Sequence, residues 1–103
     1  MRKCVDSQCR GFKEAVSLLG RPWTALILNV LQEGALRFNE LKAAAKGPTD
    51  KVLSTRLKEL EARGLLERKV DVGPPVRVAY ELTQQGMAFN DVARAIERWG
   101  RTL

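Results

Sequence analysis

The sequence contains no histidine and only two cysteines among its 103 residues. Without histidine the chain cannot form a histidine-based catalytic triad, a histidine-rich metal site or a zinc finger of the Cys2His2 kind. Cys4 and Cys9 are too few for a complete zinc site of thiolates within one chain, although a dimer would supply four such ligands. We therefore expect no enzymatic activity, no metal and no other cofactor.

Long apolar runs are also missing. No run approaches the ~20 residues that a bilayer crossing needs, and the N-terminus lacks the apolar centre and small-residue cleavage site of a signal peptide. We expect a soluble, cytoplasmic protein that has no membrane partner. A chain of this length buries only about two-thirds of its unfolded surface, so we expect one small core, which a second chain could extend.

Acidic residues are fewer than basic ones. Twelve Asp and Glu stand against 18 Lys and Arg, which gives a net charge of +6. Such an excess favours a polyanionic partner, although it also occurs in proteins that bind none. Between residues 34 and 77 there are ten Lys and Arg against six Asp and Glu, so +4 of the +6 lies there. This middle part of the chain is the candidate nucleic-acid-binding region.

Residues 49–63 have the pattern of a helix of about four turns. Thr49 is a favourable N-cap, Asp50 suits the positive end of the helix dipole, and Gly64 can end the helix in a left-handed turn. One face is an apolar stripe formed by Leu53, Leu57 and Leu60. A second face carries small donors and cations, which are Lys51, Ser54, Thr55 and Lys58. Such side chains can contact base edges and phosphates from the major groove, and an ordinary solvated face is the alternative.

Helical periodicity also marks four other segments, which are residues 12–19, 22–31, 38–45 and 84–103. Pro22 suits the first turn of the second of these helices, and Thr83 suits the N-cap of the last. Residues 66–82 alternate with a period of two around the segment DVGPP, which predicts an antiparallel hairpin with an apolar face that includes Val70 and Val76. Three aromatic residues are expected in the core, namely Trp23, Phe38 and Tyr80.

Residues 1–10 are polar and have no helical period, so we predict a flexible N-terminal arm at 1–10 and a single domain at 11–103. In that domain a short helix, a turn and a basic helix precede a two-stranded hairpin. These are the parts of a winged helix-turn-helix, and the fold class is therefore mainly α with a β-hairpin (α+β).

The predicted DNA-binding residues follow from this geometry. The recognition helix contributes Thr49, Asp50, Lys51, Ser54, Thr55 and Lys58. The wing and backbone set consists of Arg37, Arg68, Lys69 and Arg77. Arg37 could bind either a phosphate or a nearby carboxylate. Arg56 and Arg63 lie off the base-reading face, and we expect them to pair with Glu59 or Glu67.

Several motifs in order resemble the HxlR family of bacterial winged-helix regulators, which are relatives of the MarR group. The motifs are LLGRPWTALIL (residues 18–28), LRFNELK (36–42), KVLSTRLKELEARGLLER (51–68) and YELTQQG (80–86), preceded by Cys9 just ahead of a short helix. The resemblance implies a homodimer that binds double-stranded operator DNA and represses, or sometimes activates, neighbouring genes. The competing interpretation is a winged-helix module that binds another protein and no operator.

The first and last predicted helices carry more apolar residues than a small core needs. We predict that they form N- and C-terminal dimerisation helices through Phe12, Val16, Leu19, Phe89, Val92, Ile96, Trp99 and Leu103.

Cys9 is the candidate redox or effector site, with Cys4 secondary. The positive charges of Arg10 and Lys13 favour the thiolate, the form that oxidants and electrophiles attack. A cysteine without a regulatory role is the alternative. The effector itself is unknown from the sequence, and an oxidant, an electrophile or a small molecule would each fit.

Overall fold

The computed structural model describes the backbone of residues 6–103 and the side chains of residues 9–103. The elements in chain order are α1 Asp6–Leu19, α2 Thr24–Val30, β1 Leu36–Arg37, α3 Phe38–Ala45, α4 Asp50–Ala62, β2 Leu66–Asp71, β3 Arg77–Leu82, α5 Gln84–Met87 and α6 Phe89–Gly100. A 3₁₀ turn, Leu31–Glu33, follows α2 directly. Cys4 lies outside the described residues. The predicted winged helix-turn-helix architecture is confirmed.

The sheet has the strand order β1-β3-β2, with both pairs antiparallel. The predicted hairpin is confirmed, with a register that runs from Leu66 opposite Leu82 to Asp71 opposite Arg77. The two-residue strand β1 was not predicted. The apolar face predicted for the hairpin is buried only near its base, where the hairpin meets the helices. Val70 is 50% exposed and Val76 is 66% exposed.

One leucine-rich core lies between α2, α3, α4 and the base of the hairpin. Its buried members are Ile27, Leu28, Leu31, Leu41, Leu53, Leu57, Leu60, Leu66 and Leu82. Burying a leucine or isoleucine side chain contributes about 1.5–3 kcal/mol. Phe38 and Tyr80 pack against this core as half-buried residues. The core therefore fixes the inner face of α4 and leaves its outer face to solvent.

Helix α1 begins at Asp6, so the predicted arm boundary at residue 10 falls inside a helix. That residues 11–103 act as one unit stays a prediction. None of the helices in residues 6–103 combines the length and hydropathy that a membrane span requires.

The turn before α2 differs from the prediction. Helix α2 begins at Thr24 rather than Pro22, because Trp23 has a left-handed backbone with φ of 73°. Trp23 is also 36% exposed, so its assignment to the core was wrong. Its ring instead covers Gly47, where an added Cβ would lie only 2.2 Å from the indole carbon Cη2. Trp23 thus packs on the turn that leads into α4.

Candidate nucleic-acid interface

Helix α4 begins and ends where its local signals predict. The Thr49 hydroxyl accepts a hydrogen bond from the backbone N–H of Val52 at 3.2 Å, which satisfies one of the free donors of the first turn. Gly64 has φ of +75°, a conformation that glycine adopts without strain. The N–H of Leu65 then donates to the carbonyl of Leu60 at 3.0 Å. These bonds fix the length of the candidate recognition helix.

The outer face of α4 brings together the predicted base-reading residues. Lys51, Thr55 and Lys58 are exposed and Ser54 is half-buried. In the described part of the chain, Lys51 and Lys58 form no ion pair. The Thr55 hydroxyl donates to the carbonyl of Lys51 at 2.9 Å, so its lone pairs remain free to accept. This face therefore offers two cations and short polar groups to a major groove.

Asp50 has a structural partner. It lies in the first turn of α4, and its carboxylate forms an ion pair with Lys42 of α3. A carboxylate at this end of a helix is favoured by the helix dipole. The pair joins the two helices of the helix-turn-helix, and Asp50 can orient the front of α4 without touching a base.

The inner edge of α4 is tied to the segment between α1 and α2. The Arg56 Nε donates to the carbonyl of Pro22 at 2.8 Å, and its guanidinium also contacts Glu59 at 3.0 Å. Arg21 donates to the other oxygen of Glu59 at 2.6 Å. Exposed ion pairs contribute little on their own, but the Arg56 side chain is only 12% exposed. The pairing of Arg56 with Glu59 is confirmed, and Arg21 is a supporting residue that the sequence did not identify.

Arg63 has a different partner from the predicted one. Its guanidinium contacts Glu14 of α1 at 3.0 Å, rather than Glu59 or Glu67. Glu67 instead contacts Lys69 within β2. The separation of 49 positions between Glu14 and Arg63 in the sequence explains why no local signal indicated this contact. An exposed ion pair therefore links α1 to the end of α4.

The wing carries three predicted cations that have different surroundings. Lys69 Nζ lies 3.1 Å from Glu67 and 3.8 Å from Glu81. The hydrogen bond and charge of Glu67, together with the charge of Glu81, raise the pKa of Lys69 above its ordinary value. Arg68 and Arg77 have no ion pair within the described residues, and both are exposed. Arg68 and Arg77 therefore supply the cationic charge of the wing that is not matched by acids.

Arg37 is the last residue of β1 and precedes α3. Its backbone N–H donates to the Glu40 carboxylate at 2.8 Å, which caps the start of α3. Its guanidinium forms no ion pair among the described residues, and the side chain is exposed. The bond to Glu40 is made by the backbone of Arg37 and not by its guanidinium, so the choice between a phosphate and a carboxylate partner for the side chain stays a prediction.

Comparison with known proteins assigns this arrangement to a family. Residues 18–103 match the HxlR-like helix-turn-helix family. The chain belongs to that family. It is 42% identical to the HTH-type transcriptional regulator YvaP of Bacillus subtilis over 94 residues, which are 91% of this chain and 87% of YvaP.

Solved structures agree with this assignment. The reduced form of the B. subtilis transcriptional regulator YodB superposes with a TM-score of 0.83 at 40% identity, covering 88% of this chain and 89% of that one. Quinone-bound YodB superposes with a TM-score of 0.81 at 36% identity, covering 92% of this chain and all of that one (100%). The relatives are transcriptional regulators rather than enzymes, and this HxlR-like chain is a helix-turn-helix transcriptional regulator.

The HxlR-like chain exposes most of its predicted dimerisation residues. The exposed fractions are 70% for Phe12, 52% for Val16, 44% for Val92 and Ile96, 66% for Trp99 and 87% for Leu103. Leu19 and Phe89 are half-buried and pack against the core of their own chain. An open groove beside α6 is lined in part by Leu26, Phe89 and Ile96. Apolar faces of this extent are typical of protein interfaces.

Cys9 does not have the environment that the sequence suggested. It lies on α1, is only 7% exposed, and is disulfide-bonded. In this form of the HxlR-like chain Cys9 is therefore a buried disulfide sulfur rather than a thiolate, and its role as the redox or effector site stays a prediction. The described residues contain no group of three or more His, Cys, Asp or Glu that could hold a metal ion.

Proposed function

We propose that this regulator binds double-stranded operator DNA as a homodimer and represses transcription, with α4 in the major groove and the hairpin on the flanking backbone. The observation that carries the proposal is the division of α4 into a face of buried leucines and a face with two exposed lysines, the exposed Thr55 and the half-buried Ser54. An α-helix fits the major groove, where each base pair presents its own pattern of donors and acceptors.

The dimer follows from the exposed apolar faces of α1 and α6. We propose that α6 of one protomer packs with α1 of the other around a two-fold axis. The two recognition helices would then lie in successive major grooves about 34–36 Å apart and would read a near-palindromic site.

DNA from upstream of the chain's own gene is the direct probe of this function. A gel-shift titration should give a complex that survives an excess of random competitor duplex. A complex that random DNA removes as readily as the specific fragment would contradict operator binding.

We expect the helix and wing to contribute differently to binding. Lys51→Ala and Thr55→Ala should each cost about 1–3 kcal/mol on the operator and much less on random DNA, because they remove base contacts. Arg77→Ala should weaken both complexes and reduce the salt slope by about one unit, because it removes a phosphate contact. Fluorescence anisotropy at several salt concentrations measures all three variants.

Two controls sharpen that comparison. Lys69→Ala should have a smaller effect than Arg77→Ala, because Glu67 and Glu81 already match part of its charge. Arg98→Ala removes a cation from α6, outside the proposed DNA-binding surface, and should weaken specific binding less than Arg77→Ala does. Equal losses on operator and random DNA for Lys51→Ala and Thr55→Ala would contradict the assignment of α4 as the base reader.

We further propose that Cys9 makes binding responsive to thiol oxidation. Two thiols that form a disulfide release two electrons and two protons to the oxidant, here diamide or a quinone, and a reducing dithiol reverses the step. Three features support this proposal: Cys9 is disulfide-bonded, it lies on a proposed dimerisation helix, and that helix contacts α4 through Glu14 and Arg63. The related regulator YodB has been solved in reduced and quinone-bound forms.

Oxidation of the reduced protein with diamide should change operator affinity by at least about fivefold, the low end of typical coupling between sites. Cys9→Ser should bind DNA and show no such change, while reduction with a dithiol should restore the wild-type affinity. Cys4→Ser provides the comparison at the second cysteine. If Cys9→Ser responds to diamide as the wild type does, Cys9 is not the responsive residue.

A further inference from the structure

The Thr83 side chain joins the end of the recognition helix to the start of α5. Its hydroxyl donates to the carbonyl of Gly64 at 2.6 Å and accepts from the N–H of Gly86 at 3.2 Å. Its backbone N–H donates to the carbonyl of Leu65 at 3.0 Å. A hydroxyl has one donor hydrogen and two acceptor lone pairs. The Thr83 hydroxyl can therefore bond both the Gly64 carbonyl, which follows α4, and the Gly86 N–H in the first turn of α5.

Two further contacts hold the start of α5 against the residues that follow α4 and α2. A Cβ on Gly86 would lie 2.0 Å from the carbonyl oxygen of Leu65, so α5 rests directly on the backbone that follows α4. The carbonyl of Gly86 accepts a hydrogen bond from Gln32 Nε2 at 3.2 Å, which holds α5 to the 3₁₀ turn after α2. The start of α5 therefore has little freedom to rotate relative to α4.

The direction of α6 follows from that of α5. Only Ala88 separates the two helices, and its φ of −61° and ψ of −20° are helical values. Helix α6 has 12 residues and is about 18 Å long at 1.5 Å per residue. A tilt of about 10° at the junction would move its far end by about 3 Å, which is close to the ~3.4 Å separation of successive base pairs.

We propose that Thr83 is a positioning residue that sets the angle between α4 and α6 and thereby the half-site separation that the dimer accepts. The inference rests on the proposed function, since α6 must lie at the dimer interface for its angle to matter. Thr83 acts through the two helices rather than through contact with DNA. Its loss should therefore change the preference among half-site separations, beyond any uniform loss of affinity.

The test compares Thr83→Val, which keeps the β-branched shape and removes the hydroxyl, with Thr83→Ser, which keeps the hydroxyl. The DNA probes are duplexes whose half-sites come from selection of random-sequence DNA with the wild-type protein. One duplex has the selected separation, and two others have one base pair added or removed between the half-sites. Urea unfolding of each variant reports whether the fold is retained.

Wild type and Thr83→Ser should prefer the selected separation, and in Thr83→Val this preference should fall by about fivefold, the low end of typical coupling between sites. A Thr83→Val protein that keeps the wild-type preference while losing affinity equally on all three duplexes overturns the inference. So does a Thr83→Ser protein that behaves like Thr83→Val.

Gln32→Met removes the hydrogen bond from Gln32 to the Gly86 carbonyl. It is the replacement test variant if Thr83→Val does not fold. It should show the same relaxed preference, and an unchanged preference overturns the inference. A wild-type protein that shows no preference among separations overturns the proposed dimeric function and this inference together. The two failures are therefore distinguished by the behaviour of the wild type.

Discussion

Ile96→Glu should convert the protein to a monomer and lower its operator affinity by roughly a thousandfold or more, to the level of non-specific binding. Ile96 lies on the exposed apolar face of α6 and is 44% exposed in the single chain. A glutamate there reaches water in a monomer, but in a dimer it would be an unpaired charge among apolar side chains, which costs several kcal/mol. A monomer meets only one half-site, and the affinity gained by binding both half-sites is lost.

The matched control for this variant is Arg98→Gln. Both substitutions lower the net charge by one, so they change the long-range attraction to DNA similarly, but Arg98 is two positions from Ile96 and therefore about 200° around α6 from it. Sedimentation at micromolar concentration should show a dimer for the control and a monomer for Ile96→Glu. Trp99→Ala should shift the same equilibrium toward monomer to a smaller extent. If Ile96→Glu sediments as a dimer, the interface lies elsewhere.

The recognition helix could be predicted because its signals are local. Thr49 and Gly64 mark its ends by their own conformational preferences, and the spacing of Leu53, Leu57 and Leu60 identifies its buried face. Each signal depends on residues within one or two turns. The structure reproduces all of them, and the exposed face that carries the proposed base contacts follows directly.

Contacts between distant segments could not be predicted in the same way. Arg63 has acids close to it in the sequence, yet it contacts Glu14 across 49 residues. Strand β1 has only two residues, too few to show a period of two, and it exists because Leu36 lies opposite Tyr80 of β3. The charges and propensities of single residues do not indicate which distant segments meet.

The turn at Trp23 and the environment of Cys9 could not be predicted either, because both depend on contacts that form only in the folded chain. Local preference places Pro22 in the first turn of a helix. In the structure the Trp23 ring packs on Gly47 and the Trp23 backbone is left-handed, so the helix begins only at Thr24. The charges of Arg10 and Lys13 predict a reactive thiolate at Cys9, and its burial and disulfide bond depend on the folded chain. Local chemistry therefore predicts the reactivity of a thiol but not its burial or its oxidation state.

Gly86→Ala should lower the free energy of unfolding by about 1–3 kcal/mol or more, a large share of the 5–15 kcal/mol that stabilises a typical domain. The new methyl group would lie 2.0 Å from the Leu65 carbonyl oxygen and 3.0 Å from Leu82 Cδ2. The first of these neighbours is backbone, which cannot turn aside as a flexible side chain can. The substitution must therefore displace α5, and with it the contacts that Thr83 and Gln32 make to this helix.

Gly11→Ala is the matched control, because it makes the same chemical change where, apart from its chain neighbours and the backbone of its own helix, no atom of the described residues lies within 4 Å of the new Cβ. Gly11 is inside α1, where alanine is favoured over glycine by about 1 kcal/mol. Urea unfolding at equal protein concentration should therefore show a more stable Gly11→Ala and a less stable Gly86→Ala. Equal protein concentration matters because dimerisation adds to the apparent stability. A Gly86→Ala protein as stable as the wild type would mean that α5 can move away from Leu65 at little cost, and such a movable helix could not hold α6 at a fixed angle to the recognition helix.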